Sequence, residues 1–176
     1  MLLGAVIILG VGGIWLSSVP ENETTGGHIP SPRAGFLAPA FELETLEGEM
    51  GSLADFREQV VVLNLWASWC PPCRAEMPAL QSLYEEYQDQ GLVVLAVNMT
   101  YQDSASAAFA FAAEFGLSFP IMLDRTGLVG SLYRMRALPT TFFIDRQGVI
   151  QEVVVGGPMS ELTLQSMIIE LLEVES

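Results

Sequence analysis

Two apolar runs dominate the middle of the chain, "VVVLNL" at 60–65 and "LVVLAVNM" at 92–99. Runs of this length are typical of strands that are buried on both faces of a sheet. Between them, apolar residues recur at helical spacing over 70–90, and Gly91 is a suitable residue to end a helix. An Ala- and Phe-rich segment at 104–115 predicts a second helix. The central part of the chain therefore alternates strand, helix, strand, helix.

The segments on either side extend this alternation. "FELETLEGEMGSL" predicts a short hairpin with Gly48 at its turn. After the second helix we predict a short strand in "FPIMLD", a short helix near 127–134 and a hairpin of two strands at 140–145 and 149–155. A final helix follows, with an apolar stripe of Leu164, Met167, Ile168, Leu171 and Leu172. Strands that alternate with helices in this way indicate a three-layer α/β domain.

The first 19 residues carry no charged side chain. A membrane-spanning helix needs about 17–25 such residues, so we expect residues 1–19 to form a membrane anchor. A cleaved signal peptide is the alternative, although the segment lacks a basic start and a good cleavage site. A buried soluble helix is the least favoured interpretation, because glycines 4, 10, 12 and 13 would make it weak in water.

Residues 20–37 are rich in Pro, Gly, Ser and Thr and lack apolar periodicity. This composition predicts a flexible linker, followed by a folded domain over 38–176. His28, the only histidine, lies in this segment. We expect it to be solvated and not to act as a ligand.

The chain of 176 residues has a formal net charge of −14, from 21 acidic residues against seven arginines. A polyanion repels phosphate groups, so this charge argues against binding to nucleic acid and against docking on anionic lipid headgroups. An acidic, well-solvated surface needs no partner to explain it.

The only two cysteines, Cys70 and Cys73, stand where the first long strand gives way to a helix. A helix N-terminus stabilises a thiolate, and proline is favoured in its first turn. We therefore expect Cys70 to be an N-cap with an exposed, attacking sulfur and Cys73 to be a more buried, resolving residue. Neither Pro71 nor Pro72 has an N–H to offer the thiolate, which leaves the N–H of Cys73. Sparse stabilisation of the thiolate favours a reductant.

Other uses of the cysteine pair are less consistent with the sequence. The loop that the pair closes is too short for a disulfide to stabilise the fold much. A zinc site needs four ligands, and there is no second cysteine pair. A cysteine peroxidase would carry Ser or Thr three residues before its cysteine, where this chain has Ala67. Binding of Cu(I) by two thiolates remains open as an alternative.

The stretch "WASWCPPC" (66–73) resembles the active site of thioredoxin-fold proteins. Residues 38–174 as a whole resemble the membrane-tethered thiol:disulfide oxidoreductases of the TlpA, ResA and CcmG type, a redoxin family of cytochrome c maturation. Trp69, Pro78 and "LPTTFFID" at 138–145 all match in order. The resemblance implies a thioredoxin-like three-layer α/β/α fold, with an N-terminal hairpin and a central strand–helix insertion before "FPIMLD". It implies no cofactor or metal beyond the cysteine pair.

In this family the proline of the second motif, here Pro139, is cis and faces the cysteines. The backbone of Leu138 would then be free to pair with an extended substrate peptide. Alternatively, Pro139 simply starts a strand. We expect one of Trp66 and Trp69 in the core and one on the surface, with Trp69 forming part of the substrate platform.

The sequence departs from thioredoxin at Asn64, where thioredoxin has a buried aspartate that handles the proton of the resolving thiol. ResA-like proteins resemble this chain there, and in them a glutamate three residues after the second cysteine is implicated. Glu76 occupies that position. It is either an exposed acid near a helix N-terminus or a partly desolvated carboxyl with a raised pKa, acting as general base for Cys73.

By resemblance, the substrate would be the CxxC disulfide of apocytochrome c, and a membrane electron carrier of the CcdA or DsbD type would re-reduce the protein. The domain would work outside the cytoplasm, held at the cell membrane by a single pass, or secreted if residues 1–19 are cleaved. Copper-site cysteines of an oxidase subunit are an alternative substrate. A generic disulfide oxidant is an alternative activity.

Overall fold

The computed structural model describes residues 29–173. These residues contain one seven-stranded mixed sheet with the strand order β2-β1-β5-β4-β3-β6-β7. The strands are β1 (Glu42–Thr45), β2 (Met50–Ser52), β3 (Val60–Trp66), β4 (Leu92–Asn98), β5 (Ile121–Leu123), β6 (Thr140–Ile144) and β7 (Ile150–Val155). Strands β3, β4 and β5 run parallel, and the remaining pairings are antiparallel.

Four helices cover the two faces of the sheet: α1 (Pro71–Tyr87), α2 (Ala105–Phe115), α3 (Leu128–Leu132) and α4 (Glu161–Glu173). Alternate residues of β3 supply the two cores. Val62 and Trp66 pack with the apolar sides of α1, α2 and α4. Leu63 and Leu65 pack on the other face, beneath α3. This arrangement confirms the predicted three-layer α/β/α fold.

Within the described residues, the strands and helices predicted from residue 41 onward are present, with bounds that differ by one to a few residues. The segment after β4 supplies α2 and β5, and β5 pairs with β4 on one side and with β1 on the other. The N-terminal hairpin of β1 and β2 therefore joins the sheet through β5. Gly48 lies in its turn with a φ of 90°, where only glycine is unstrained.

The C-terminal end of the predicted linker contacts the sheet through its backbone. Gly35 N–H donates to Ile150 O at 2.8 Å, and Ile150 N–H donates in return to Phe36 O at 2.9 Å. Residues 35–38 thus pair with the start of β7 and the turn before it, although the composition of 20–37 is that of a linker. Backbone hydrogen bonds do not depend on side-chain type, which is why composition did not reveal them.

The predicted anchor at residues 1–19, the first part of the linker and His28 lie outside the described residues. Within residues 29–173, no helix has the length and apolar character needed to cross a membrane.

Candidate active site

The cysteine pair lies at the start of α1. Cys70 is the N-cap, with extended backbone at φ −84° and ψ 111°, and Pro71 and Pro72 fill the first two helical positions. Cys70 and Cys73 form a disulfide with their Cα atoms 5.3 Å apart. Cys73 N–H donates to Cys70 Sγ at 3.3 Å. Pro71 and Pro72 have no N–H. The backbone N–H of Cys73 is therefore the donor that remains for Cys70 Sγ, as predicted.

The expected exposure of the Cys70 sulfur was wrong for this disulfide form. Cys70 is 3% exposed and Cys73 is 1% exposed. Both belong to the apolar cluster that contains Trp66, Ala67 and Met77. Both cysteines are buried in this cluster, so burial does not distinguish the attacking from the resolving residue. Cys70 Sγ accepts the hydrogen bond from Cys73 N–H, and the assignment of Cys70 as the attacking residue stays a prediction.

Glu76 is one helical turn after Cys73 and is only 1% exposed. Its Oε1 accepts a hydrogen bond from Asn64 Nδ2 at 3.1 Å, and its Oε2 accepts one from Met159 N–H at 2.9 Å. Burial raises the pKa of Glu76, although the hydrogen bonds from Met159, Thr141 and Asn64 oppose that rise. The interpretation as an exposed acid was wrong, because the carboxyl is buried. Its burial is consistent with a desolvated carboxyl, and the role of general base stays a prediction.

Asn64 links three elements of the site. It lies in β3, and its Nδ2 donates to Glu76 of α1 and, at 2.9 Å, to Thr141 Oγ1 of β6. Its Oδ1 is buried and accepts no hydrogen bond from the described residues. An amide at this position cannot take up a proton near neutral pH, so Glu76 is the group of this network that can.

The loop before β6 lies beside the cysteine loop. Leu65 of β3 pairs with Thr140 of β6, so the end of β3 and the start of β6 meet at the same edge of the sheet. The Leu138–Pro139 peptide bond is cis, as the resemblance implied. Pro139 directly precedes β6, and the backbone of Leu138 makes no hydrogen bond to the described residues. An extended peptide could therefore pair with it.

The two tryptophans of the motif separate as predicted. Trp66 is fully buried, with its ring centroid 4.6 Å from that of Phe111. Trp69 is 55% exposed, and its Nε1–H donates to Gln102 O at 3.0 Å. Pro78 lies inside α1, five residues after Cys73. An exposed indole held by one hydrogen bond beside the cysteines offers a flat apolar surface to a substrate.

Sequence reasoning missed the loop that supports Trp69. Asp103 accepts hydrogen bonds from Ser68 N–H at 2.6 Å, Ser68 Oγ at 2.8 Å, Asn98 Nδ2 at 2.9 Å and Ser104 N–H at 2.9 Å. Partial burial acts to raise the pKa of Asp103, but the hydrogen bonds from Asn98, Ser68 and Ser104 together lower it. No sequence signal relates Asp103 to Ser68, because the two are 35 residues apart.

We expect Asp103→Asn to lower the free energy of unfolding by about 1–3 kcal/mol at neutral pH, since an amide cannot accept all four bonds. The folded-state pKa of Asp103 lies below its ordinary value of 3.8. Its contribution is therefore present above that value and is lost as the pH falls through the folded-state pKa.

Urea denaturation at pH 7 and at about pH 3 would measure both effects. Asp89→Asn is the matched control, because Asp89 is exposed in the turn after α1. Equal stabilities for the two variants at pH 7 would contradict the structural role of Asp103.

A disulfide at a helix N-terminus, beside a cis-proline loop on a mixed sheet, is the arrangement of a thioredoxin-like thiol–disulfide oxidoreductase. The redox group of such an enzyme is its own cysteine pair. Residues 34–153 match the AhpC/TSA family, and the chain belongs to that family.

Curated relatives agree with this class. The chain is 46% identical over 123 residues to the thioredoxin-like protein YneN of Bacillus subtilis, covering 69% of this chain and 71% of the relative. It is 43% identical over 127 residues to the thiol-disulfide oxidoreductase ResA of Geobacillus thermodenitrificans, covering 72% of each.

Among solved structures, a Chlorobium tepidum protein assigned as the thiol:disulfide interchange protein DsbE is 33% identical, with a TM-score of 0.73. The match covers 80% of this chain and 98% of that one. The protein is therefore an enzyme that exchanges thiols and disulfides with protein substrates. Among the described residues, no three His, Cys, Asp or Glu side chains are grouped as a metal site would require.

Proposed function

We propose that the protein is an extracytoplasmic reductant of protein disulfides, and that its substrate is the CxxC disulfide of apocytochrome c. The observation that carries the direction of transfer is the single hydrogen bond at Cys70 Sγ, from Cys73 N–H. Fewer donors stabilise the thiolate less, and a less stable reduced form gives up its electrons more readily. The likeness to ResA supports the choice of substrate.

The proposed reaction begins with the reduced pair. The Cys70 thiolate attacks one sulfur of the substrate disulfide, and the other substrate sulfur leaves as a thiolate that takes up a proton. The Cys73 thiol then passes its proton to the Glu76 carboxylate and attacks Cys70 Sγ. This step releases the second substrate sulfur as a thiolate, which takes up a proton from solvent, and leaves the Cys70–Cys73 disulfide; Glu76 then returns its proton to solvent. Two electrons pass from the protein to the substrate.

The substrate would bind across the cis-proline loop. Leu138 offers its unpaired backbone to an extended segment of the substrate, and the exposed ring of Trp69, next to Cys70 in the chain, offers an apolar surface. Copper-site cysteines of an oxidase subunit would fit the same edge, because backbone pairing carries little sequence information. A peptide competition between the two disulfides, each measured as kcat/KM, would decide between the substrates.

The location and the electron donor are part of the proposal. Residues 1–19 would hold the protein at the cell membrane, and a membrane carrier of the CcdA or DsbD type would reduce the disulfide again. The length and apolar character of this segment support the anchor. Protease protection on membrane vesicles would test both the anchor and its orientation.

The direction of transfer predicts a low reduction potential for the Cys70–Cys73 pair. Equilibration against dithiothreitol should give a value near or below that of thioredoxin, about −270 mV. Pro71→Gly supplies a possible donor to the Cys70 thiolate and should raise the potential. A wild-type value approaching about −120 mV would mean that the protein inserts disulfides, and the assignment to cytochrome c would then fail.

A further inference from the structure

The loop that joins β7 to α4, residues 156–160, contacts two parts of the active site. Gly156 N–H donates to Pro139 O at 2.8 Å. Met159 N–H donates to Glu76 Oε2 at 2.9 Å. Gly157 lies between these two donors. The β7–α4 loop therefore connects the proposed proton acceptor to the cis-proline loop.

Gly157 approaches both groups so closely that no side chain fits. A Cβ atom there would lie 2.9 Å from Pro139 Cγ and 3.0 Å from Glu76 Oε2. The φ of Gly157 is not in the left-handed region, so its backbone conformation does not require glycine. Gly156 is the opposite case: its φ is 86°, and a Cβ atom there would have nothing within 4 Å. Close approach is what requires glycine at 157.

We propose that Gly157 is a positioning residue for disulfide exchange: its lack of a side chain lets the β7–α4 loop hold the Glu76 carboxylate in hydrogen bond to Met159 while the loop packs on the Pro139 ring. This inference rests on the function proposed above for Glu76. It adds that one segment, the β7–α4 loop, holds both the Glu76 carboxylate, which accepts the proton, and the cis-proline loop, which receives the substrate.

A methyl group at residue 157 would lie too close to both neighbours, and the nearer of the two contacts is with Pro139 Cγ. The Pro139 ring is buried and cannot rotate away, so the β7–α4 loop should shift away from both groups. Because this loop carries Met159, the hydrogen bond from Met159 N–H to Glu76 Oε2 should break. That bond favours the charged form. The other groups at the carboxylate, Asn64 and Thr141, are neutral. No positive charge there would offset the loss of the Met159 hydrogen bond, so the pKa of Glu76 should rise.

The test is a titration of the Glu76 carboxyl carbon by NMR in the oxidised protein, where neither cysteine titrates. Gly157→Ala should raise the midpoint by about one pH unit, the amount expected for one hydrogen bond to a charged group. Gly156→Ala is the matched control. It strains the backbone on the same loop and lowers stability, but it should leave the midpoint unchanged.

An unchanged midpoint in a folded Gly157→Ala protein would overturn the inference. If that variant does not fold, Met159→Pro removes the N–H donor without adding an atom beside Pro139, and the same upward shift is expected. An unchanged midpoint there would likewise overturn the inference. Failure of the proposed function has a different signature: Glu76→Gln would then resolve mixed disulfides at the wild-type rate, whatever the titration shows.

Discussion

Cys70→Ser should lower disulfide-reductase turnover by at least about three orders of magnitude, to the uncatalysed background, as removal of a nucleophile does in other enzymes. A serine hydroxyl does not ionise near neutral pH, so no anion would form at the N-cap of α1. The hydrogen bond from Cys73 N–H would then have no thiolate to stabilise. The loss is measured as the rate at which free thiols appear when the protein reduces a CxxC peptide disulfide.

Cys73→Ser should also stop turnover, but with a different product. Cys70 can still attack the substrate, and without a resolving thiol the mixed disulfide remains. Mass spectrometry of the protein after reaction with the peptide should show one peptide bound through Cys70. The double variant, Cys70→Ser with Cys73→Ser, is the control and should trap nothing. Trapping by Cys70→Ser instead of Cys73→Ser would reverse the two assigned roles.

Most of the fold was predictable because its central strands, β3 to β6, are buried on both faces. β3 and β4 appear in the sequence as unbroken apolar runs, and α1 between them has apolar residues at helical spacing. The pairing of residues 35–38 was not predictable in this way. These residues join the start of β7 and the turn before it through backbone hydrogen bonds, and their side chains carry no periodic pattern.

The active site was predictable where neighbouring residues determine the geometry. The N-cap position of Cys70 follows from the two prolines after it. Contacts between distant segments left no such signal. Met159 and Gly157 reach Glu76 from more than 80 residues away, and Asp103 reaches Ser68 across 35. Burial of the Cys70 sulfur was also missed, because local sequence does not report how a disulfide packs.

Glu76→Gln should slow the resolution of the mixed disulfide by about 10²-fold or more at neutral pH, the usual contribution of a general base. Gln has nearly the same shape but cannot accept the proton of Cys73. The Asn64 amide can turn to present its unpartnered Oδ1 to the new amide group, so the variant should fold. Rapid-quench measurement of the mixed disulfide would show it accumulating. Glu86→Gln, an exposed position on α1, is the matched control.

The pH dependence of the resolution rate should separate a catalytic role from a structural one. In the wild type the rate should rise as Glu76 ionises, with a midpoint above its ordinary value of 4.5. In Glu76→Gln that rise should vanish, leaving only the rise caused by ionisation of the Cys73 thiol. A variant that keeps the wild-type profile and rate would show that Glu76 is not the proton acceptor.

Stability should change with pH in the opposite sense to activity. Because the pKa of Glu76 is raised on folding, the folded state binds more protons than the unfolded state between 4.5 and the raised value. The contribution of Glu76 to stability should therefore be greatest below 4.5 and be lost as the pH rises through its folded-state pKa. Glu76→Gln has no such loss, so its Tm relative to the wild type should increase with pH across this interval. A constant difference in Tm would mean that the carboxyl pKa is not raised by folding. The ionised carboxylate would thus lower the stability of the fold at the pH where it serves the reaction.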